Sequence, residues 1–251
     1  MRDVVKVLGV PFDKIDMKQT IKIIEEQIDN DSDKLYHIIT GNPEIVLHHK
    51  QDELLNKLVE EADLITADGV GIILASKWKK DKLPERVAGS DLLIKVLEKG
   101  NEKGWSFYFF GTDEDTSKKA VENIKNKYPK LIISGRHNGF YDDKKEEEII
   151  EDIKRKRPDI LVVATGAPRA EKWIYTNKNR LGAKIAFGVG GTLDVIAGKV
   201  KRAPLIWQRL NLEWLHRLLH QPSRWRRQLA LPVFAWKAFC EAFKERKTSK
   251  S

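Results

Sequence analysis

The chain has 251 residues, 41% of them hydrophobic, which suits one large α/β domain or two small ones. A single cysteine, Cys240, excludes a disulfide framework and a cysteine-based zinc site, and no apolar run reaches the ~18 residues that a membrane-crossing helix needs. The net charge is +9 and unevenly placed: from Lys199 onward there are thirteen Lys and Arg against three Asp and Glu, so the first 198 residues are close to neutral.

Residues 4–12 alternate loosely and read as a strand or hairpin arm. Asp16 is placed to cap a helix over residues 17–29, with Ile21, Ile24 and Ile28 on one face. The acidic run 29–33 has the look of a calcium loop. Lys34 and Thr40 stand where its glycine and distal glutamate belong, so it reads as a solvated turn. Residues 35–39 form a strand whose exit is Thr40-Gly41-Asn42-Pro43-Glu44. Thr40 and Asn42 offer neutral donors and acceptors suited to sugar hydroxyls, and Gly-Asn-Pro equally fits ordinary turn chemistry. Helices then turn Ile45, Val46, Leu47, Leu54, Leu55 and Leu58 inward. His48 and His49 are adjacent, so they point to different helix faces and make no metal pair.

Leu64-Ile65-Thr66-Ala67 is a short strand that ends in Asp68, and Gly69 and Gly71 open an apolar helix. In parallel α/β sheets, ligands bind outside the carboxyl ends of the strands. Asp68, beside glycines that permit close approach, is therefore a candidate general base; the plainer alternative is an Asp that caps the next helix. Residues 83–91 loop into a helix capped by Ser90. Arg86 is the cation of that loop, either a surface residue or an anion clamp.

After Gly104 a strand-to-glycine unit occurs four times. Strands at 105–110, 131–134, 160–164 and 183–187 run into Gly111-Thr112-Asp113, Gly135-Arg136-His137-Asn138-Gly139, Thr165-Gly166-Ala167-Pro168-Arg169 and Gly188-Val189-Gly190-Gly191-Thr192. Amphipathic helices lie between them at about 114–128, 143–156 and 168–180. This alternation predicts a Rossmann-like, doubly wound, largely parallel sheet. Glycine at strand ends lets ligand phosphates reach backbone N–H groups and helix N-termini. None of the turns is a dinucleotide fingerprint: the Gly188 turn lacks a third glycine at the required offset, and Asp194 falls in the first helical turn. No Walker motif occurs, so a nucleotide-cofactor oxidoreductase and an ATPase are both disfavoured. Asp113-Glu114-Asp115 resembles a metal-binding pair but sits where acids favour a helix start.

From Ala203 the character changes. Pro204 suits a helix start, and Ile206, Trp207, Leu210, Trp214 and Leu218 form one stripe, flanked by Leu212, Leu215 and Leu219. So wide an apolar band exceeds what one core face needs. A last helix carries Val233, Trp236, Phe239, Cys240 and Phe243 on one side. Four of the seven tryptophans fall in this tail, interleaved with arginine. Indole and arginine suit a membrane interface with anionic lipid, and the alternatives are subunit packing, hence self-association into a homo-oligomer, or single-stranded nucleic acid. The expected division is an α/β core over 1–198 and a basic, amphipathic helical appendage over 199–251.

Several segments, taken together and in order, resemble the bacterial TagA/WecG/CpsF glycosyltransferase family. They are Thr40-Gly41-Asn42-Pro43-Glu44, Ala62-Asp63-Leu64 through Asp68-Gly69-Val70-Gly71, Arg86-Val87-Ala88-Gly89-Ser90-Asp91, Phe109-Phe110-Gly111, Gly166-Ala167-Pro168-Arg169 through Glu171, and Gly188-Val189-Gly190-Gly191 through Asp194. The resemblance implies transfer of N-acetylmannosamine from a UDP-sugar to a polyprenyl-diphosphate-linked N-acetylglucosamine, as in a wall teichoic acid linkage unit. It implies inversion, no metal or other cofactor, no nucleic-acid partner, and a cytoplasmic protein held peripherally at the inner membrane face. The donor could equally be the corresponding uronic acid or a UDP-hexose. Family positions fall on Asp68 as base, on Thr40 and Asn42, on Arg86 in the pocket, and on Arg217, Arg224 and Arg227 for the acceptor diphosphate and membrane. Gly111, Thr112, Arg136, Gly166, Arg169, Gly188, Gly190, Gly191 and Asp194 are the remaining candidates for substrate binding. One departure stands out: Ala170 occupies a place where the family commonly has Gln, so a side-chain contact from that position is lost here.

Overall fold

A computed structural model describes residues 2–30, 32–210, 212–220 and 225–248. The chain opens with an antiparallel hairpin, β1 (Val4–Val7) and β2 (Val10–Asp13). Six further strands form one all-parallel sheet: β3 (Tyr36–Gly41), β4 (Leu64–Ala67), β5 (Ser106–Gly111), β6 (Ile132–His137), β7 (Ile160–Ala164) and β8 (Ile185–Gly188). Their order is β4-β3-β8-β7-β5-β6. The strands read as near-continuous apolar runs because both faces of a parallel sheet are covered by helices.

On one face lie α1 (Met17–Asp29), α5 (Gly89–Lys103), α6 (Glu114–Lys127) and α9 (Thr192–Ile196), packed on Ile38, Phe107, Phe109, Val162 and Phe187. On the other face α2 (Pro43–His48), α3 (Glu53–Glu60) and α4 (Val70–Trp78) pack on Ile39 and Ile65. There too α7 (Asp143–Lys156) and α8 (Arg169–Asn177) pack on Tyr108, Phe110, Leu161 and Val163. Neighbouring strands β3 and β8 thus send their following helices, α2 and α9, to opposite faces. That is a topological switch point, and a crevice opens at the carboxyl ends of the two strands.

Several helix starts follow the local chemistry. Asp16 caps α1 in a complete capping box with Gln19, and Asp113 caps α6 by accepting from the Thr116 N–H at 2.9 Å. Asp113 also pairs with Lys199 at 2.6 Å, which with the Thr116 contacts holds its carboxyl below the usual range. Ser90 departs from expectation. The α5 helix begins at Gly89 with Ala88 in the cap position and no side-chain cap, so Ser90 lies inside the first turn. Strand β6 also runs on through Gly135 to His137 instead of ending at Ser134. A Cβ at Gly135 would lie 2.5 Å from the Tyr108 ring, so glycine there makes room for a core aromatic. Leu54 is 37% exposed, unlike Leu55 and Leu58, which are buried.

Gly111 has a similarly structural explanation. Its φ is +126°, and a Cβ would stand 2.4 Å from the Ala164 carbonyl carbon at the end of β7. Both the left-handed backbone and the contact with rigid main chain oppose a side chain. Gly111→Ala is expected to destabilise the fold by roughly 2–4 kcal/mol, read as a lowered urea midpoint at unchanged slope. An unshifted midpoint would show that the β5 and β7 ends separate easily.

After α9 the chain forms α10 (Leu205–Arg209), α11 (Glu213–His220), α12 (Trp225–Gln228) and α13 (Ala230–Thr248). The apolar stripe expected along one continuous helix is therefore divided between α10 and α11. Helix α13 packs on α4 and α2 through Phe234, Ala238 and Ala242, all buried, with Phe234 and Ala238 inside the core cluster of that face. Gly71 is part of this seam: a Cβ there would lie 3.3 Å from the Phe234 ring, so its small size serves α13 and not a substrate. Glu241 of α13 accepts from the Leu8 N–H at 2.9 Å and pairs with Lys79, which also donates to the Lys6 carbonyl at 2.7 Å.

Candidate active site

A cleft of about 310 Å³ lies at the carboxyl ends of β4, β3, β8 and β7. Thr40, Asn42, Asp68, Arg86, Gly166, Gly188, Gly190 and Gly191 line it. Eight sequence-selected positions, spread over 152 residues of chain, therefore meet in one place.

Asp68 leaves the end of β4, where its N–H donates to the Gly41 carbonyl at 2.8 Å. Gly69, with φ +111°, then turns the chain into α4, and this turn presents the Asp68 carboxylate to the cleft. Its Oδ2 accepts from the Gly89 N–H, the first residue of α5, at 3.4 Å. The positive end of a fifteen-residue helix thus faces the carboxylate. Asn42 caps α2, its Oδ1 accepting from the Glu44 and Ile45 N–H groups at 3.0 and 3.1 Å. Turn chemistry and a place in the cleft wall coexist in this residue. Thr40 is buried and donates to the Gly188 carbonyl at 3.5 Å, which ties the β3 end to the β8 end across the switch point. A Cβ on Gly89 would stand 3.0 Å from Thr40 Oγ1 and 3.1 Å from the Gly188 carbonyl oxygen, so Gly89, the Thr40 side chain and the Gly188 backbone form a close-packed floor.

Arg86 stands in the cleft wall and donates to Asp91 Oδ2 at 2.9 Å, with Glu213 Oε2 at 4.0 Å. Among the described lining residues it is the one Lys or Arg, facing the carboxylates of Glu44, Asp68, Glu171 and Glu213. Sequence reading named Glu171 only as the end of a family-like segment and gave it no role; it is buried and stands so close to the β8 end that a Cβ on Gly188 would lie 2.7 Å from its Oε1. Its signal was available: a carboxylate in the first turn of a helix that follows a glycine-ended strand. Glu213, Trp214 and Gln228 also line the cleft. They belong to the tail, where amphipathic patterning gave no hint of inward-facing polar groups. Ala170, adjacent to Glu171, is fully buried in the core.

Five other candidates sit along the same sheet edge but outside the cleft lining. Thr112, at the β5 end, donates to Asp194 Oδ1 at 3.2 Å, so these two are brought together. Gly111 precedes Thr112 and is accounted for by packing. Arg136 is engaged by Glu114 on the edge strand and holds that carboxyl down at about 2. Arg169 lies over the Tyr141 ring, 5.6 Å from its centroid, beside a separate surface groove. Arg224 falls outside the described residues, as do the side chains of Arg217 and Arg227, whose backbones belong to α11 and α12. No group of three or more His, Cys, Asp or Glu suited to a metal ion occurs among the described residues.

The sequence profile of the glycosyl transferase WecG/TagA/CpsF family matches residues 5–248. An N-acetylglucosaminyldiphosphoundecaprenol N-acetyl-beta-D-mannosaminyltransferase of Staphylococcus aureus strain MRSA252 is 34% identical over 233 residues, covering 93% of this chain and 91% of the relative. The protein of that same description from Bacillus spizizenii is 35% identical over 204 residues, covering 81% of this chain and 79% of its own.

Proposed function

The chain belongs to the WecG/TagA/CpsF glycosyltransferase family, and from that premise we propose that it moves N-acetylmannosamine from UDP-N-acetylmannosamine to N-acetylglucosaminyl-diphosphoundecaprenol. The observation that carries this reading is the meeting of Asp68, Thr40, Asn42 and Arg86 in one cleft at the sheet's switch point. In the proposed step Asp68 takes the proton of the acceptor C4 hydroxyl. The freed oxygen attacks C1 of the sugar as the bond from C1 to the diphosphate breaks, and UDP departs. One base on the acceptor side and charge stabilisation on the leaving side suffice for a single displacement with inversion.

The leaving diphosphate is met by Arg86, and no metal is part of this scheme. The Asn42 side-chain nitrogen and Thr40 are assigned to sugar hydroxyls. Thr112 and Asp194 are assigned to the nucleotide end, and the tail arginines Arg217, Arg224 and Arg227 to the acceptor diphosphate. Docking at the inner membrane face by the tail brings the lipid-linked acceptor to the cleft mouth. Leu205, Ile206, Leu210, Leu219, Trp225, Trp236, Phe239 and Phe243 are exposed and support such a surface. No described helix is long and apolar enough to cross a membrane.

The test is UDP release from UDP-N-acetylmannosamine with a short-chain lipid-diphosphate N-acetylglucosamine. Turnover is expected with that donor, unchanged in EDTA, and not with UDP-N-acetylmannosaminuronic acid or UDP-glucose. Preference for either of the latter would reassign the donor, and loss of turnover in EDTA would restore a metal to the mechanism.

A further inference from the structure

Arg86 does not stand alone in the cleft wall. It belongs to a ring of four alternating charges that joins three segments of the chain. Arg86 donates to Asp91 Oδ2 at 2.9 Å, and Arg202 donates to the other oxygen of the same carboxylate. Arg202 Nε stands 3.6 Å from Glu213 Oε1, and Glu213 Oε2 stands 4.0 Å from Arg86 Nη2. The two contacts made by Asp91 are hydrogen bonds. The two made by Glu213 are longer than the ~2.7–3.2 Å of a hydrogen bond. Arg202 Nε is buried and has no hydrogen-bond partner among the described residues. A buried donor left this way is costly, and the nearest remedy is the Glu213 carboxylate, less than ~1 Å beyond hydrogen-bond reach. Arg86 and Glu213 line the cleft, whereas Asp91 and Arg202 are not among its lining residues.

We propose that Arg202 is a positioning residue that takes Glu213 away from Arg86 when a diphosphate enters the cleft. Glu213 stands between the two arginines, 4.0 Å from Arg86 and 3.6 Å from Arg202. An incoming diphosphate oxygen competes with Glu213 for the Arg86 N–H groups, and the 4.0 Å contact is the weakest of the four by distance. Glu213 then closes on Arg202 Nε, which completes the unmade hydrogen bond. The carboxylate stays neutralised instead of repelling the ligand. Since Glu213 opens α11, ligand capture at Arg86 is coupled to a small shift of the helix that carries Arg217. This proposal rests on the cleft being a diphosphate site, but not on which sugar the diphosphate carries.

The test uses the full chain and inorganic pyrophosphate as the probe, read by calorimetry. Arg202→Gln is expected to weaken pyrophosphate binding about tenfold, because Glu213 is left against Arg86. Adding Glu213→Gln to that variant should return the affinity to within about threefold of wild type, and Glu213→Gln alone should tighten it slightly. A merely structural role for Arg202 predicts no rescue by removal of a second charge. Unchanged binding in Arg202→Gln, a double variant as weak as the single, or no pyrophosphate binding by the wild type would each overturn the proposal. If Arg202→Gln fails to fold, Glu213→Gln alone decides, and unchanged or weaker binding refutes the exchange. Failure of the donor assignment looks different: pyrophosphate coupling persists while UDP-N-acetylmannosamine is not turned over.

Discussion

Asp68→Asn is expected to lower kcat by roughly 10²–10⁴-fold, the usual contribution of a positioned general base, while UDP affinity stays within about threefold. Asn keeps the shape of the side chain and can still accept from the Gly89 N–H, so the turn after β4 is preserved. What it cannot do is take the acceptor proton. The split between turnover and binding matters because an Asp that served only to order the start of α5 would be replaced by Asn with little loss of either turnover or UDP affinity. Near-normal kcat in Asp68→Asn would remove the residue as base and direct attention to the other carboxylates of the cleft, the buried Glu171 among them.

The second large effect is expected in α13, where two aromatic residues two positions apart should behave in contrasting ways. Phe234 is 1% exposed and fills the seam against α4 and Gly71. Phe234→Ala should cost about 3–5 kcal/mol, since it removes a large buried ring and leaves a cavity between packed helices. Trp236 is 69% exposed. Trp236→Ala should leave the unfolding midpoint almost unchanged and reduce sedimentation with phosphatidylglycerol-containing vesicles several-fold. Equal destabilisation by both substitutions would mean that the Trp236 side of α13 is covered within the fold. Unchanged vesicle binding in Trp236→Ala would move the lipid contact elsewhere, to α10 or α11.

The contrast between these two residues also marks where sequence patterning stops being informative. In the first 198 residues the apolar runs expected as strands at 105–110, 160–164 and 183–187, each leading into a glycine turn, form strands of the parallel sheet at 106–111, 160–164 and 185–188. The helices α1, α6 and α7 begin at acidic caps that the local chemistry dictates, Asp16, Asp113 and Asp142, whereas α8 starts at Pro168 with no side-chain cap. Patterning failed where tertiary contacts override local preference. Ser90 is a good cap residue, but the close packing of Gly89 on Thr40 and Gly188 starts α5 two residues earlier. Gly135 reads as a strand end but accommodates Tyr108 within a strand.

In α13 the apolar residues cover so much of the circumference that periodicity could not say which line is buried. The narrow line Phe234, Ala238, Ala242 goes inward, because two alanines let the helix approach closely, and the bulkier Trp236, Phe239 and Phe243 are left outside. Much of the site was legible for a topological reason: residues at the carboxyl ends of parallel strands converge whatever their separation in sequence. Thr40, Asp68 and Gly188 are such residues. Arg86 and Glu213 lie on loop and tail segments whose paths no strand pattern constrains, and their contact became visible only in three dimensions.

The account turns on a single displacement driven by one carboxylate, and the stereochemistry of the product tests this most directly. The anomeric configuration of the new mannosaminyl bond can be read from the one-bond carbon–hydrogen coupling at C1. An α-linked UDP-sugar should give a β-linked disaccharide on the lipid diphosphate. An α-linked product would mean retention, and Asp68 as base in a one-step displacement would be contradicted.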